Sequence, residues 1–236
     1  MSAPTSSGSA PAADSVATNP FQPGITSSTV LDAPRREPAA AAAGAPQLPG
    51  QPLTSDREAT KKRVLAALRN FPDFPIPGID FIDILPIFQD PKTFDALLQV
   101  LELQIRETLG YVPDVIVGLD ARGFLFGPTL ALRLNCSFVT VRKKGKVPGP
   151  TVTAAYEKEY GTDYFQMQSD AIKPGQKVLV VDDIIATGGS AAAAASLINQ
   201  LGGTLAGYLF MIEISPLKGR EKLGDYPILT LLDTAA

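Results

Sequence analysis

Two adjacent carboxylates, Asp182 and Asp183, stand at the end of an apolar run and are followed three residues later by Thr187, Gly188, Gly189 and Ser190. The whole segment, KVLVVDDIIATGGS over residues 177–190, reads as a buried strand, two acids at its carboxyl end, a turn of small residues and the start of an alanine-rich helix. Each part has a chemical use. Small residues at a helix N-terminus leave backbone N–H groups free, and together with the helix dipole these favour a dianionic phosphate. The acids can accept hydrogen bonds from ribose hydroxyls and, through water, hold Mg²⁺, which is bound by one or two carboxylates plus substrate oxygens. A Gly-Gly pair alone would be an ordinary strand–turn–helix connection; the two acids beside it make the segment a candidate ligand site. Neither G-x-x-x-x-G-K-[ST] nor G-x-G-x-x-G occurs, which argues against a P-loop NTPase and a Rossmann dehydrogenase.

The rest of the chain narrows the chemistry by exclusion. Histidine is absent, so Ser-His-Asp and Cys-His catalysis and His-ligated zinc are ruled out, and acid–base work falls to Asp, Glu, Lys or Tyr. The single cysteine, Cys136, lies in the apolar stretch Leu134 to Phe138 and reads as a core thiol in a reducing compartment. Net charge is −3 with no long basic run, so nucleic acid and anionic membranes are not expected partners. The one basic cluster is Arg142, Lys143, Lys144 and Lys146, in a Gly/Pro-punctuated segment. No apolar run reaches the roughly eighteen residues of a membrane span, and the N-terminus has neither a secretory pattern nor an Arg-rich presequence, so a cytosolic enzyme of small-molecule substrates is expected.

These groups need a frame. Residues 1–55 are rich in Ala, Pro, Ser, Gly and Thr and hold nine of the 21 prolines; such a segment cannot bury enough apolar area to offset its ordering entropy and is expected to be a disordered tail. Residues 56–236 have the size of one domain. Asp56 can cap a helix running to Asn70, and Asp90 with Pro91 starts another that carries Phe94, Leu97, Leu98, Leu101 and Ile105 at helical spacing. Five β-rich runs follow, Val115 to Leu119, Phe138 to Val141, Val178 to Val181, Tyr208 to Ile212 and Ile228 to Leu232, separated by helical stretches. That alternation predicts a doubly wound α/β fold with a mainly parallel five-stranded sheet, whose ligand crevice lies beyond the carboxyl ends of the strands. Residues 148–163 read as a long polar loop of the kind that often forms a lid.

With these motifs in place, the chain resembles the type I phosphoribosyltransferases, whose signature is similar to VVDDIIATGGS. FPDFPIPGIDFIDI (71–84), GLDARGFLFGPTLA (118–131), VRKKGKVPG (141–149), YEKEYG (156–161) and LKGREKL (217–223) resemble, in that order, the adenine phosphoribosyltransferases. The likeness covers nearly all of residues 56–236 and not the tail.

The resemblance implies an N-terminal hood over the sheet, Mg²⁺ as cofactor, and adenine and phosphoribosyl pyrophosphate as substrates. It places Asp182, Asp183, Ala186, Thr187, Gly188, Gly189 and Ser190 on the phosphoribosyl group. Asp120, Ala121 and Arg122 would bind pyrophosphate in a turn with a cis peptide between Asp120 and Ala121. Arg142 and Lys146 would neutralise pyrophosphate from a loop that can cross a homodimer interface. Phe81 and Ile184 would sandwich the adenine ring beside Asp80 and Ile82, and Glu159 and Tyr160 would lie over the base, with Glu159 exchanging a proton with adenine N7. The family often has Ser at Ala121, Arg at Ile82 and an apolar residue at Asp80. Two rivals remain open: a 6-oxopurine or orotate phosphoribosyltransferase, and a non-catalytic phosphoribosyl pyrophosphate sensor on the same fold.

Overall fold

The computed structural model describes residues 53–78, 80–158 and 161–234. The expected tail lies outside the described residues up to position 52. Helix α1, Leu53–Ala66, begins before Asp56, so Asp56 stands inside the helix and not at its cap. The helix also stops short of Asn70. Arg69–Phe71 form a short strand, β1, that pairs antiparallel with β2, Phe81–Asp83. The Arg69 guanidinium holds the Asp83 carboxylate at 2.7 Å, an ion pair across the register Arg69↔Asp83 that favours the strand over a further helical turn. This two-stranded sheet is the N-terminal hood.

Helix α2, Leu85–Gln89, leads into α3, Pro91–Leu109, where the Asp90 side chain accepts from the Lys92 and Thr93 N–H groups as the spacing predicts. Strand β3, Val115–Leu119, precedes α4, Gly123–Leu134, and β4, Ser137–Lys143. Strands β5, Thr151–Lys158, and β6, Gly161–Gln168, come next, then β7, Lys177–Ile185, helix α5, Gly189–Gln200, β8, Thr204–Glu213, and β9, Ile228–Asp233. All five strands predicted as parallel are parallel, in the order β4-β3-β7-β8-β9.

Seven strands form the sheet rather than five. The segment expected to be a polar loop over 148–163 supplies most of a hairpin, β5-β6, whose second strand joins the β4 edge antiparallel. The alternation is present but faint: Ala154, Tyr156, Phe165 and Met167 are buried on one face, with small or polar residues between them. Tyr156 and Phe165 stack at 4.6 Å between ring centroids.

Two cores cover the two faces of the sheet. Ile116, Leu179, Val181, Leu209 and Met211 face α3 and α4, while Val115, Val117, Val178, Val180, Tyr208 and Phe210 face Ala191, Ala194, Leu197 and Ile198 of α5. This period-two division of each strand between two helical layers is what a doubly wound sheet requires.

Candidate active site

Counting only the parallel strands in chain order, their spatial order is 2-1-3-4-5, and the direction of winding reverses between β3 and β7. At such a switch point the chains leaving the two strands diverge, and a crevice opens at their carboxyl ends. The crevice here is a pocket of about 180 Å³ lined by the turn after β3, Leu119–Arg122, by Asp182–Ala191 from the end of β7 into α5, and by Phe210. The residues predicted from those two turns, Asp120, Ala121, Arg122, Asp182, Asp183, Ile184, Ala186, Thr187, Gly188, Gly189 and Ser190, all line it. Leu119, Ile185, Ala191 and Phe210 also line it; in the sequence they belong to apolar strand runs or an alanine-rich helix whose pattern signals only core.

The turn after β3 has a cis peptide between Asp120 and Ala121, as the resemblance implies. It carries Arg122 to the far wall of the crevice, where Nε lies 3.1 Å from Oδ2 of Asp183. The same guanidinium lies over the Phe81 ring, 5.7 Å from its centroid, and Phe74 meets that ring edge-on at 5.3 Å. Arg122 therefore joins the hood to the crevice. Ile184 lines the pocket, Ile82 is half-buried in β2, and Asp80 is exposed. Phe81–Asp83 is strand β2, so these residues are held in extended conformation.

The acids differ in surroundings. Asp183 is 4 % exposed; burial pushes its carboxyl up, and Arg122 pulls it back. Burial and then the charge of Asp183 push the Asp182 carboxyl well above the usual range. The Asp183 N–H donates to Asp182 Oδ1 at 3.0 Å. The two carboxylates therefore crowd each other in the crevice, with Arg122 beside them. Among the described residues there is no cluster of three metal-ligating side chains. Two crowded carboxylates without a third suit Mg²⁺, which takes its remaining oxygens from water and substrate.

Gly188 has φ +77°, and a Cβ there would collide with the carbonyl oxygen of Gly219, so only glycine fits the turn. Thr187 to Ser190, the turn and the first residues of α5, line the pocket, and the first N–H groups of a helix have no partner within it.

Arg142 reaches the first turn, its Nε 3.3 Å from Asp120 Oδ2, and its Nη1 donates to the Lys146 carbonyl at 3.2 Å. Lys146 is exposed and does not line the crevice. Glu159 and Tyr160 lie outside the described residues. The strands flanking them are placed, however: β6 pairs with β4 at Arg142↔Gln166 and Lys143↔Phe165, so Gly161–Tyr164 continue beyond the carboxyl end of β4, the end where the crevice opens.

A doubly wound domain with an acid pair and a small-residue phosphate turn at its switch point defines a phosphoribosyl transferase domain, and residues 88–213 match the family model of that description. An adenine phosphoribosyltransferase of Yarrowia lipolytica is 60 % identical over 168 residues, 71 % of this chain and 92 % of that protein. The Cricetulus griseus enzyme of the same name is 49 % identical over 175 residues, 74 % and 97 % respectively. The crystal structure of adenine phosphoribosyltransferase from Saccharomyces cerevisiae, complexed with an imino-altritol bisphosphate and adenine, matches with a TM-score of 0.72 and 51 % identity over 74 % of this chain and 99 % of that one. This chain belongs to the adenine phosphoribosyltransferase family.

Proposed function

We propose that the chain transfers the 5-phosphoribosyl group from phosphoribosyl pyrophosphate to adenine, giving AMP and pyrophosphate in purine salvage. The observation that carries this reading is that Arg122, the Asp182–Asp183 pair and the Thr187–Ser190 turn all line one crevice, with Arg122 paired to Asp183.

The roles follow from charge. The N–H groups of Thr187 to Ser190 hold the 5'-phosphate. Asp182 and Asp183 accept from the ribose hydroxyls, while Arg122, freed from Asp183, meets pyrophosphate together with the N–H groups of the Asp120–Ala121 turn and Arg142. Adenine N9 attacks C1', the C1'–O bond to pyrophosphate breaks, and that oxygen keeps the bonding pair. Asp182 and Asp183 would hold Mg²⁺ through water, and the ion when bound neutralises charge on the leaving pyrophosphate.

The adenine ring lies between Phe81 and Ile184, and the main chain at Asp80 and Ile82 reads its edge. The β5-β6 hairpin acts as a lid that brings Glu159 and Tyr160 over the base; Glu159 takes the proton that adenine sheds through N7 and stabilises the positive charge that develops. Excluding water matters because an oxocarbenium-like ribosyl cation would otherwise be intercepted. The rate enhancement comes from orientation and preorganised charge, with no covalent intermediate.

The basic loop, with exposed Lys143, Lys144 and Lys146, is suited to reach a second copy's crevice in a homodimer. The lone Cys136 supports a reducing, cytosolic setting. No helix among the described residues is long and apolar enough to cross a membrane.

The test is direct. Purified protein with Mg²⁺ and phosphoribosyl pyrophosphate is offered adenine, hypoxanthine, guanine and orotate in turn. AMP should form from adenine far faster than any product from the other three; absence of AMP would overturn the reading.

A further inference from the structure

The motif LKGREKL, residues 217–223, has no part in the reaction described above, yet it stands directly behind the phosphate turn. Gly219 is buried, and its main chain touches that of the turn. A Cβ on Gly188 would collide with the Gly219 carbonyl oxygen. One on Gly219 would collide with the Ala186 carbonyl oxygen and come within 2.8 Å of Ile185 Cγ1 and 3.0 Å of the Gly188 nitrogen. No side chain separates the two backbones, so where Gly219 sits decides where the N–H groups of the turn can sit.

Gly219 is fixed by the next residue. Arg220 Nε lies 2.7 and 2.8 Å from the two carboxylate oxygens of Glu213, and Nη2 also donates to Oε2. Nη1 reaches the Ile228 carbonyl at 3.4 Å and Nη2 the Thr230 hydroxyl at 3.3 Å, both in β9. Glu213 is the last residue of β8, only 7 % exposed, and lies in register with Ile185, the last residue of β7 before the phosphate turn. One planar guanidinium thus ties the Gly219–Lys222 turn to two strands at the level where β7 gives way to the ligand loop. A lysine, with a single point charge, could not hold both directions.

We propose that Arg220, clamped by Glu213, is a positioning residue for the 5'-phosphate: it presses Gly219 against Gly188 and so sets the spacing of the Thr187–Ser190 N–H groups. Arg220 acts through the main chain and touches no substrate. The proposal rests on the assignment of that turn to the phosphate of the phosphoribosyl group. Misplacing a binding group by about 1 Å can cost up to about 10²-fold.

The test uses the full chain with Arg220→Met and Glu213→Gln. Equilibrium binding of ribose 5-phosphate and, separately, of pyrophosphate with Mg²⁺ is measured beside KM for each substrate. Both variants should raise the ribose 5-phosphate Kd and the phosphoribosyl pyrophosphate KM by about tenfold or more. The pyrophosphate Kd and the adenine KM should stay within about twofold, and Arg220→Lys should fall between wild type and Arg220→Met. If Arg220→Met does not fold, the same ratio of Kd values in Arg220→Lys decides. Equal weakening of both ligands, or a lower Tm with an unchanged ratio, would overturn the positioning role alone. Wild-type protein that binds pyrophosphate but not ribose 5-phosphate would overturn the assignment of the turn, and this proposal with it.

Discussion

Arg122 and Asp183 meet in the crevice, guanidinium Nε to carboxylate Oδ2 at 3.1 Å, although one follows β3 and the other lies two residues before the end of β7. The pair places opposite charges side by side in the crevice proposed to hold the phosphorylated sugar and its pyrophosphate. On the roles proposed above, substrate binding exchanges partners: ribose hydroxyls replace Arg122 at Asp183, and pyrophosphate replaces Asp183 at Arg122.

Asp183→Asn should lower kcat/KM for adenine by about 10² or more, because a charge-assisted hydrogen bond that strengthens as charge develops on the ribosyl group is lost. Steady-state kinetics with saturating Mg²⁺ measures it. Activity near that of the wild type would remove Asp183 from the reaction.

Glu159→Gln should act mainly on kcat. Its proposed partner is the base, so binding of phosphoribosyl pyrophosphate without base should change by less than about threefold. A variant that no longer binds phosphoribosyl pyrophosphate would refute the lid assignment.

Base choice should be read by main chain. Among the described residues β2 pairs with β1 alone, so its other edge has no strand partner there, and N–H and C=O groups on such an edge suit adenine N1 and N6. Hypoxanthine reverses both polarities, and two buried mismatches of about 1–3 kcal/mol each give about 30-fold to more than 10⁴-fold discrimination. Ile82→Arg or Asp80→Val should shift the adenine-to-hypoxanthine ratio by less than about tenfold. Phe81→Ala should weaken every base by about 1–3 kcal/mol of stacking and leave the ratio nearly unchanged. Competition kinetics would expose side-chain reading as a collapse of the ratio in the Asp80 or Ile82 variant.

The hood should carry an acid-sensitive contribution to stability. Burial raises the Asp83 carboxyl, but the Leu85 N–H and the Arg69 guanidinium outweigh it, and the group is held below the usual carboxylate value. A depressed folded value means stabilisation that is fully present above the unfolded value of about 3.9 and is lost as pH falls through the folded one. Asp83→Asn should therefore cost about 1–3 kcal/mol at pH 7, with the difference from wild type shrinking below about pH 4. Urea midpoints at pH 7, 4 and 3 would contradict this if the gap stayed constant.

Much of this architecture is legible in the chain because its signals are local. The five parallel strands are apolar runs bounded by turns, and Asp90 followed by Pro91 announces α3 at the residue where it starts. The hairpin is harder to read because Ala154 and Ala155 blur the alternation that Tyr156, Phe165 and Met167 would otherwise display. Strand β1 hides at the end of a helical pattern, since its main determinant is the distant Asp83. The turns of the site are readable as motifs. The contact of Arg122 with both Asp183 and Phe81 is not, because only the order of strands brings the three together.

The hood and the main sheet share no strand: Phe81 lies in β2, and the acid pair with its phosphate turn follows from β7. On the roles proposed above, the base is held from both sheets, by Phe81 of β2 and Ile184 of β7, and the sugar phosphate from the main sheet alone. Under those roles a change in the three-residue strand alters one face of the base site while the register of the seven-stranded sheet, and with it the turn proposed to hold the ribosyl phosphate, stays as it is.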